Sequence, residues 1–218
     1  MCEWLVMLSD EELINIAFTD EANFYLDGEV NSRNCTQYIG SKKKGGAGRA
    51  SLDGNLIHMK EKHAEKLMVF AGTCKGRLFG LKFMHGNMNS QMYQELVKEE
   101  CIPQLMAANN GSLEGIIWQQ DGATIHRNPR FMEYLDHQFD GRVLGLGANL
   151  RGLRGHMWAS LSPDLSVLHF SIWSIMKRMV FTSPLPISLD ELEERITEVI
   201  DQLNGDPELI KRCHISVQ

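Results

Sequence analysis

Residues 13–26 mix apolar and polar positions around Phe18, Phe24, Tyr25 and Leu26 and run into Asp27-Gly28. That pattern predicts a strand followed by a hairpin turn, with Asp20 inside the strand or just past it. The continuous apolar run 67–72 and the run 78–84 bracket Cys74-Lys75-Gly76, which predicts two further strands, the first fully buried. These three strands are expected to pair antiparallel on one side of a sheet. Residues 89–106 carry Met92, Tyr93, Leu96, Val97 and Cys101 at helical spacing, with Pro103 as a stop or a kink. Ile116-Ile117-Trp118 predicts a short strand running into Asp121, followed by a polar turn and a helix over 129–139. Residues 141–155 read as loop apart from Val143-Leu144, a candidate short strand. Ser162 as N-cap and Pro163 at the first helical position open a helix, with Leu165, Leu168, Ile172, Ile175, Met176 and Met179 as its apolar stripe. Ser188 and Glu191 form a capping box for a last helix that carries Leu192, Ile196, Val199, Ile200 and Leu203 and closes at Asn204-Gly205. Hairpins that give way to strand–helix alternation predict an α/β protein, a mixed sheet with helices packed on it.

Length and charge narrow this picture. With 218 residues, 43% hydrophobic and 23% charged, the chain suits one globular domain spanning 1–218 with its own core. The opening Met1-Cys2-Glu3-Trp4-Leu5-Val6-Met7-Leu8 lacks a basic n-region and a cleavage site, and no apolar run reaches the length of a membrane span. This reading makes the protein intracellular, with no membrane partner. The five cysteines, Cys2, Cys35, Cys74, Cys101 and Cys213, are scattered without a C-x-x-C pair, which argues against a disulfide framework or zinc knuckle and for a reducing compartment. A net charge of -6 runs against binding to nucleic-acid phosphates. The basic residues are unevenly placed, however: Lys42-Lys43-Lys44 with Arg49, then Arg142, Arg151 and Arg154 in a glycine-rich stretch. A charge run of this kind is either a phosphate grip or a solvated loop.

The candidate chemistry lies in three runs: Phe18-Thr19-Asp20-Glu21, Trp118-Gln119-Gln120-Asp121-Gly122-Ala123 and Ser162-Pro163-Asp164-Leu165. Two of them end an apolar stretch on a carboxylate. Divalent cations such as Mg²⁺ take hard oxygen ligands, so Asp20 and Asp121 suit a metal site if their strands are neighbours. A lone Asp is more commonly a turn residue or a helix cap. His126 can sit behind Asp121, face a ligand, or simply pack at a helix start, and Met176 and Met179 read as core.

Taken in order, the three runs resemble the catalytic domain of mariner-like DDE transposases, and the resemblance extends from about residue 17 to about 212. It implies a ribonuclease-H-like fold, DNA cleavage and strand transfer, and a two-cation site holding Mg²⁺ or Mn²⁺. It also implies transposon-end DNA as partner, a possible homodimer, a nuclear location and no small-molecule substrate. In that family the third catalytic acid stands five residues after the Asp of Ser-Pro-Asp-Leu, and this chain has His169 there. The resemblance therefore places catalysis at Asp20, Asp121 and position 169, and metal ligation at Asp20 and Asp121. Imidazole is a poor Mg²⁺ ligand, so activity is expected to be impaired; His169 can equally be a helix residue packed beside Ile172 and Trp173. Asp164 is either a substitute acid or a first-turn residue favoured by the helix dipole. The chain also has Trp158-Ala159-Ser160 where the family has Trp-Pro-Pro, and Ser166-Val167 where it has Asn-Pro. No counterpart of the family's N-terminal helix-turn-helix region is expected before Asp20. The competing reading is a non-catalytic DNA- or protein-binding module that keeps the fold.

Overall fold

The alternation that predicts the first strand sorts its side chains between two cores. Along β1 (Ile16–Tyr25), Ile16, Phe18, Ala22 and Phe24 pack into one core and Ala17 into the other, as a period of two requires. The computed structural model describes residues 7–28, 65–158 and 165–216. Leu13, predicted as strand, belongs instead to α1 (Asp10–Ile14), whose capping box joins Ser9 and Glu12. That reciprocal pair satisfies amides which a five-residue helix would otherwise leave open.

β2 (Lys66–Cys74) and β3 (Arg77–Met84) are joined by Lys75 and Gly76, with φ of 52° and 77°. Positive φ at both central residues is the type I′ turn that matches strand twist. β4 (Ile117–Gln119) and β5 (Val143–Leu144) complete a five-stranded sheet of order β3-β2-β1-β4-β5. β1 is central, antiparallel to β2 and parallel to β4. The sheet is therefore mixed, as the sequence predicts. After β1 the Gly28 amide bonds to the Tyr25 carbonyl at 3.0 Å; the basic run Lys42-Lys43-Lys44 lies outside the described residues.

One face of the sheet is covered by α2 (Ser90–Leu96), α3 (Ile102–Ala108) and α4 (Pro129–Gln138), with Tyr93, Leu105, Phe131 and Leu135 against Phe70 and Trp118. Pro103 does not end the first of these segments. A π-helical turn, Val97–Cys101, joins α2 to α3 and widens the hydrogen-bond ladder just before the residue that cannot donate to it. The other face is covered by a π-helical turn (Leu168–Ile172) leading into α5 (Trp173–Val180), then α6 (Leu189–Asn204) and α7 (Pro207–Ile215). Ser162, Pro163 and Asp164, the predicted start of the first of these, lie outside the described residues. On α6, Leu192, Ile196, Val199, Ile200 and Leu203 are buried, and at ~1.5–3 kcal/mol each that stripe outweighs any local propensity. The expected capping box is only half made: Ser188 Oγ accepts from the Glu191 amide, while Glu191 receives the Ile187 amide. α7 is an additional helix that the sequence reading missed, started by Asp206 as N-cap and Pro207.

α7 brings His214, fully buried, onto β2. Its Nδ1 lies 3.1 Å from the Leu13 carbonyl and its Nε2 3.0 Å from Thr73 Oγ1. A carbonyl only accepts, so Nδ1 carries the proton and Nε2 accepts from threonine. Burial pulls the His214 pKa from 6.5 down to about 4, against the opposing bond to Leu13. Protonation thus favours the unfolded chain: the contribution is whole above pH 6.5 and lost as pH falls toward 4. At about 1.4 kcal/mol per pH unit it amounts to up to ~3 kcal/mol. Urea unfolding across that window should show this slope in the wild type and a flatter one in His214→Gln.

Candidate metal centre

β1 and β4 pair only from Ile16↔Ile117 to Phe18↔Gln119. Beyond that point β1 continues, with Asp20 opposite Ala71 and Glu21 opposite Phe70 on β2, while the chain leaving β4 turns away. Its path is held by buried polar side chains. Thr19 Oγ1 donates to the Gln119 carbonyl at 2.8 Å, and the Gln120 amide bonds to the Leu144 carbonyl at 3.0 Å. Gln120, fully buried, accepts from Tyr93 Oη at 2.8 Å and donates to the His126 carbonyl at 3.0 Å. Each bond satisfies a group that would cost ~1–3 kcal/mol to bury alone, so the segment carrying Asp121 is fixed at both ends.

The uncovered edge of β1 faces that segment. Asp20 shares the sheet face of Phe18 and Phe24, and Glu21 shares that of Ala17, yet each offers an oxygen within 4.8 Å of the other's and of an Asp121 oxygen. The structure thus brings together Asp20 and Asp121, the two acids singled out in the sequence, and adds Glu21. In the sequence Glu21 is only the residue next to Asp20. Its side chain is 18% exposed, and Asp121's is 47%.

His126, in the 3-10 turn Thr124–His126, stands behind the cluster with 2% exposure. Its Nδ1 lies 2.7 Å from Asp121 Oδ1 and its Nε2 3.3 Å from Glu21 Oε1. Neither ring nitrogen is well aimed for a hydrogen bond, so both are charge contacts. Tyr93 packs against the ring, centroids 4.1 Å apart. Burial disfavours the His126 cation, but the two carboxylates outweigh it and lift the pKa to about 9. Burial also raises the Glu21 pKa, with His126 opposing. At Asp121 burial acts in the same sense, but His126 and the Ala123 amide, 2.8 Å from Oδ1, prevail and hold the carboxyl below its ordinary range.

His169 approaches from the opposite face, its Nδ1 3.6 Å from Asp20 Oδ2. That carboxylate raises the His169 pKa against partial burial. The side chain at position 169 therefore faces the cluster through Asp20, and it brings imidazole rather than oxygen. Trp173 Nε1 donates to the same Asp20 oxygen at 2.9 Å. Of the basic residues in the glycine-rich stretch, Arg142 donates to the Ile116 and Leu113 carbonyls and Arg154 binds Asp136 and Asp140. Both are paired within the chain, Arg154 at the surface with its side chain 55% exposed. Lys42, Lys43, Lys44 and Arg49 lie outside the described residues. Among the described residues no helix is long and apolar enough to cross a membrane.

No protein-family model and no curated protein matches the chain. Solved structures do. Mos1 transposase in its paired-end complex with the left transposon end superposes with a TM-score of 0.59 at 15% identity, over 99% of this chain and 60% of that one. The Mos1 mariner paired-end complex with Mn gives 0.61 at 15%, over 94% and 53%. The Mos1 transposase catalytic domain with raltegravir and Mg gives 0.55 at 13%, over 99% of this chain and 90% of that one. The chain thus spans between half and two thirds of the paired-end transposase chains but nine tenths of the catalytic domain. With β1 central, β4 parallel beside it and helices on both faces, the protein has the ribonuclease-H-like fold of the mariner transposase catalytic domain.

Proposed function

We propose that this chain is a transposase-type catalytic domain that acts on DNA phosphodiesters with divalent cations, at reduced competence. The observation that carries the reading is the convergence of Asp20, Glu21 and Asp121 within 4.8 Å at the open edge of the central strand. Three hard oxygen donors fit Mg²⁺ or Mn²⁺. When bound, a pair of such ions supplies charge stabilisation to the attacking and leaving oxygens of a phosphodiester displacement. Asp20 and Asp121 would hold them, with Glu21 as the third carboxylate in place of position 169. His126 holds Asp121 and Glu21 from behind, and the buried glutamines keep the Asp121 segment in register. DNA is the proposed partner, with transposon-end sequences as the class, a homodimer as the assembly and the nucleus as the setting.

The reduction in competence rests on His169. A carboxylate there would add an oxygen ligand and a negative charge beside Asp20; the imidazole adds neither. Purified protein should therefore nick plasmid DNA weakly with Mg²⁺, and His169→Asp should raise Mn²⁺ affinity about tenfold, a change on the scale of perturbing a metal-site neighbour. Unchanged affinity in calorimetry would remove position 169 from the site, and vigorous Mg²⁺-dependent nicking by the wild type, abolished by Asp121→Asn, would show that Glu21 alone restores a full site. The second reading, a DNA- or partner-binding module without catalysis, is favoured by the charge contacts of His126, which already neutralise part of the cluster without a metal. It calls for DNA retention that is indifferent to Mg²⁺ and to Asp20→Asn.

A further inference from the structure

We infer that Trp173 is a positioning residue of the metal centre, holding Asp20 by one oxygen so that the other is presented to the cation. This rests on the proposed reading of the carboxylate cluster. Asp20 is the fifth residue of a ten-residue strand and has no loop of its own to orient its side chain. Its Oδ2 is instead met from the helical layer, by Trp173 Nε1 at 2.9 Å and by His169 Nδ1 at 3.6 Å. Oδ1 is left for a metal.

Several features suit Trp173 to this role. An indole N–H is a donor only and carries no charge, so it orients the carboxylate without cancelling the negative charge that attracts a cation. A lysine or arginine at the same place would do the opposite. The indole is itself rigid: Trp173 is 4% exposed, belongs to the core cluster of this face and meets the Phe24 ring edge-on, centroids 6.1 Å apart at 81°. It is the first residue of α5, directly after the π-helical turn Leu168–Ile172, and its amide closes that turn on the Leu168 carbonyl. Such wide turns are frequent at functional sites. Here the turn precedes the residue that reaches Asp20 and contains His169, so both groups arrive at one carboxylate oxygen. Partners of ligating carboxylates are worth about 10–100-fold in metal affinity.

The test is a double-mutant cycle on the full chain with Mn²⁺ as probe, followed by calorimetry and by thermal melting. Trp173→Phe keeps an aromatic ring beside Phe24 and removes the N–H. Mn²⁺ affinity should fall about tenfold, while in an Asp20→Asn background the same change should have no further effect. A purely structural tryptophan would lower the melting temperature in both backgrounds and leave the affinity ratio between them unchanged. Wild-type affinity in Trp173→Phe overturns the inference and leaves the metal site standing; a wild-type protein that binds no Mn²⁺ removes both. Should Trp173→Phe fail to fold, the wild-type protein answers the question: its assigned Trp173 indole N–H resonance should shift on Mg²⁺ addition, and a resonance insensitive to Mg²⁺ is the overturning result.

Discussion

Asp20→Asn should weaken Mn²⁺ binding by at least about 100-fold, beyond the range seen when only a partner of a ligand is lost. The amide oxygen can still accept from Trp173 Nε1, 2.9 Å from the carboxylate in the wild type, so the local packing survives. The change also removes one of three negative groups gathered within 4.8 Å. Metal-free Asp20→Asn should melt close to the wild type, because relief of like-charge repulsion offsets the loss of the His169 contact at 3.6 Å. Calorimetry with Mn²⁺ and a melting curve on the same sample separate the two effects. Retention of wild-type affinity would show that the three carboxylates are a surface coincidence.

His126→Ala should produce the largest loss of stability, roughly 3–5 kcal/mol, the range for removing one partner of a buried charge pair. For a chain of this size that corresponds to a melting point lower by on the order of 10 °C. The imidazole is 2% exposed and touches Asp121 and Glu21 at once. Without it, Glu21 is left in a site where burial already pushes its pKa up, and the space against Tyr93 is empty. Adding Glu21→Gln to His126→Ala should recover part of the loss, because the stranded acid is then neutral. If His126→Ala costs less than about 1 kcal/mol, in the range of an exposed ion pair, the contacts across the imidazole are not what hold the cluster.

Much of the architecture was legible in the chain because it depends on short-range pattern. The Cys74-Lys75-Gly76 hairpin, the Ile117-Trp118 strand and the α6 stripe follow from turn chemistry and from periods of two and 3.6. Where the secondary structure departs from these patterns, competing local signals explain it. Ser9 and Glu12 offered a capping box inside what reads as the approach to a strand, and Asp206-Pro207 restarts a helix immediately after Asn204-Gly205 ends one. Pro103 reads as a stop, but a π-helical turn accommodates it.

The sequence by itself determined the strand carrying Asp20, the short strand leading to Asp121, and the presence of histidine at position 169, since residue order and alternation settle those. Only the tertiary structure decided the membership of the site. Glu21 follows Asp20 on a strand, where neighbours point to opposite faces, so sequence reasoning has no ground to unite them; the end of β1–β4 pairing at Phe18↔Gln119 does so by uncovering an edge. In the sequence His126 reads equally as packed at a helix start; in the fold the Tyr93 ring lies against it and Asp121 and Glu21 meet its two nitrogens. Arg142 and Arg154 look like phosphate grips in the linear sequence, yet Arg142 is held by the Ile116 and Leu113 carbonyls and the half-exposed Arg154 pairs with Asp136 and Asp140. Trp173 reaches Asp20 across 153 residues, a contact that exists only once the helical layer has packed on the sheet.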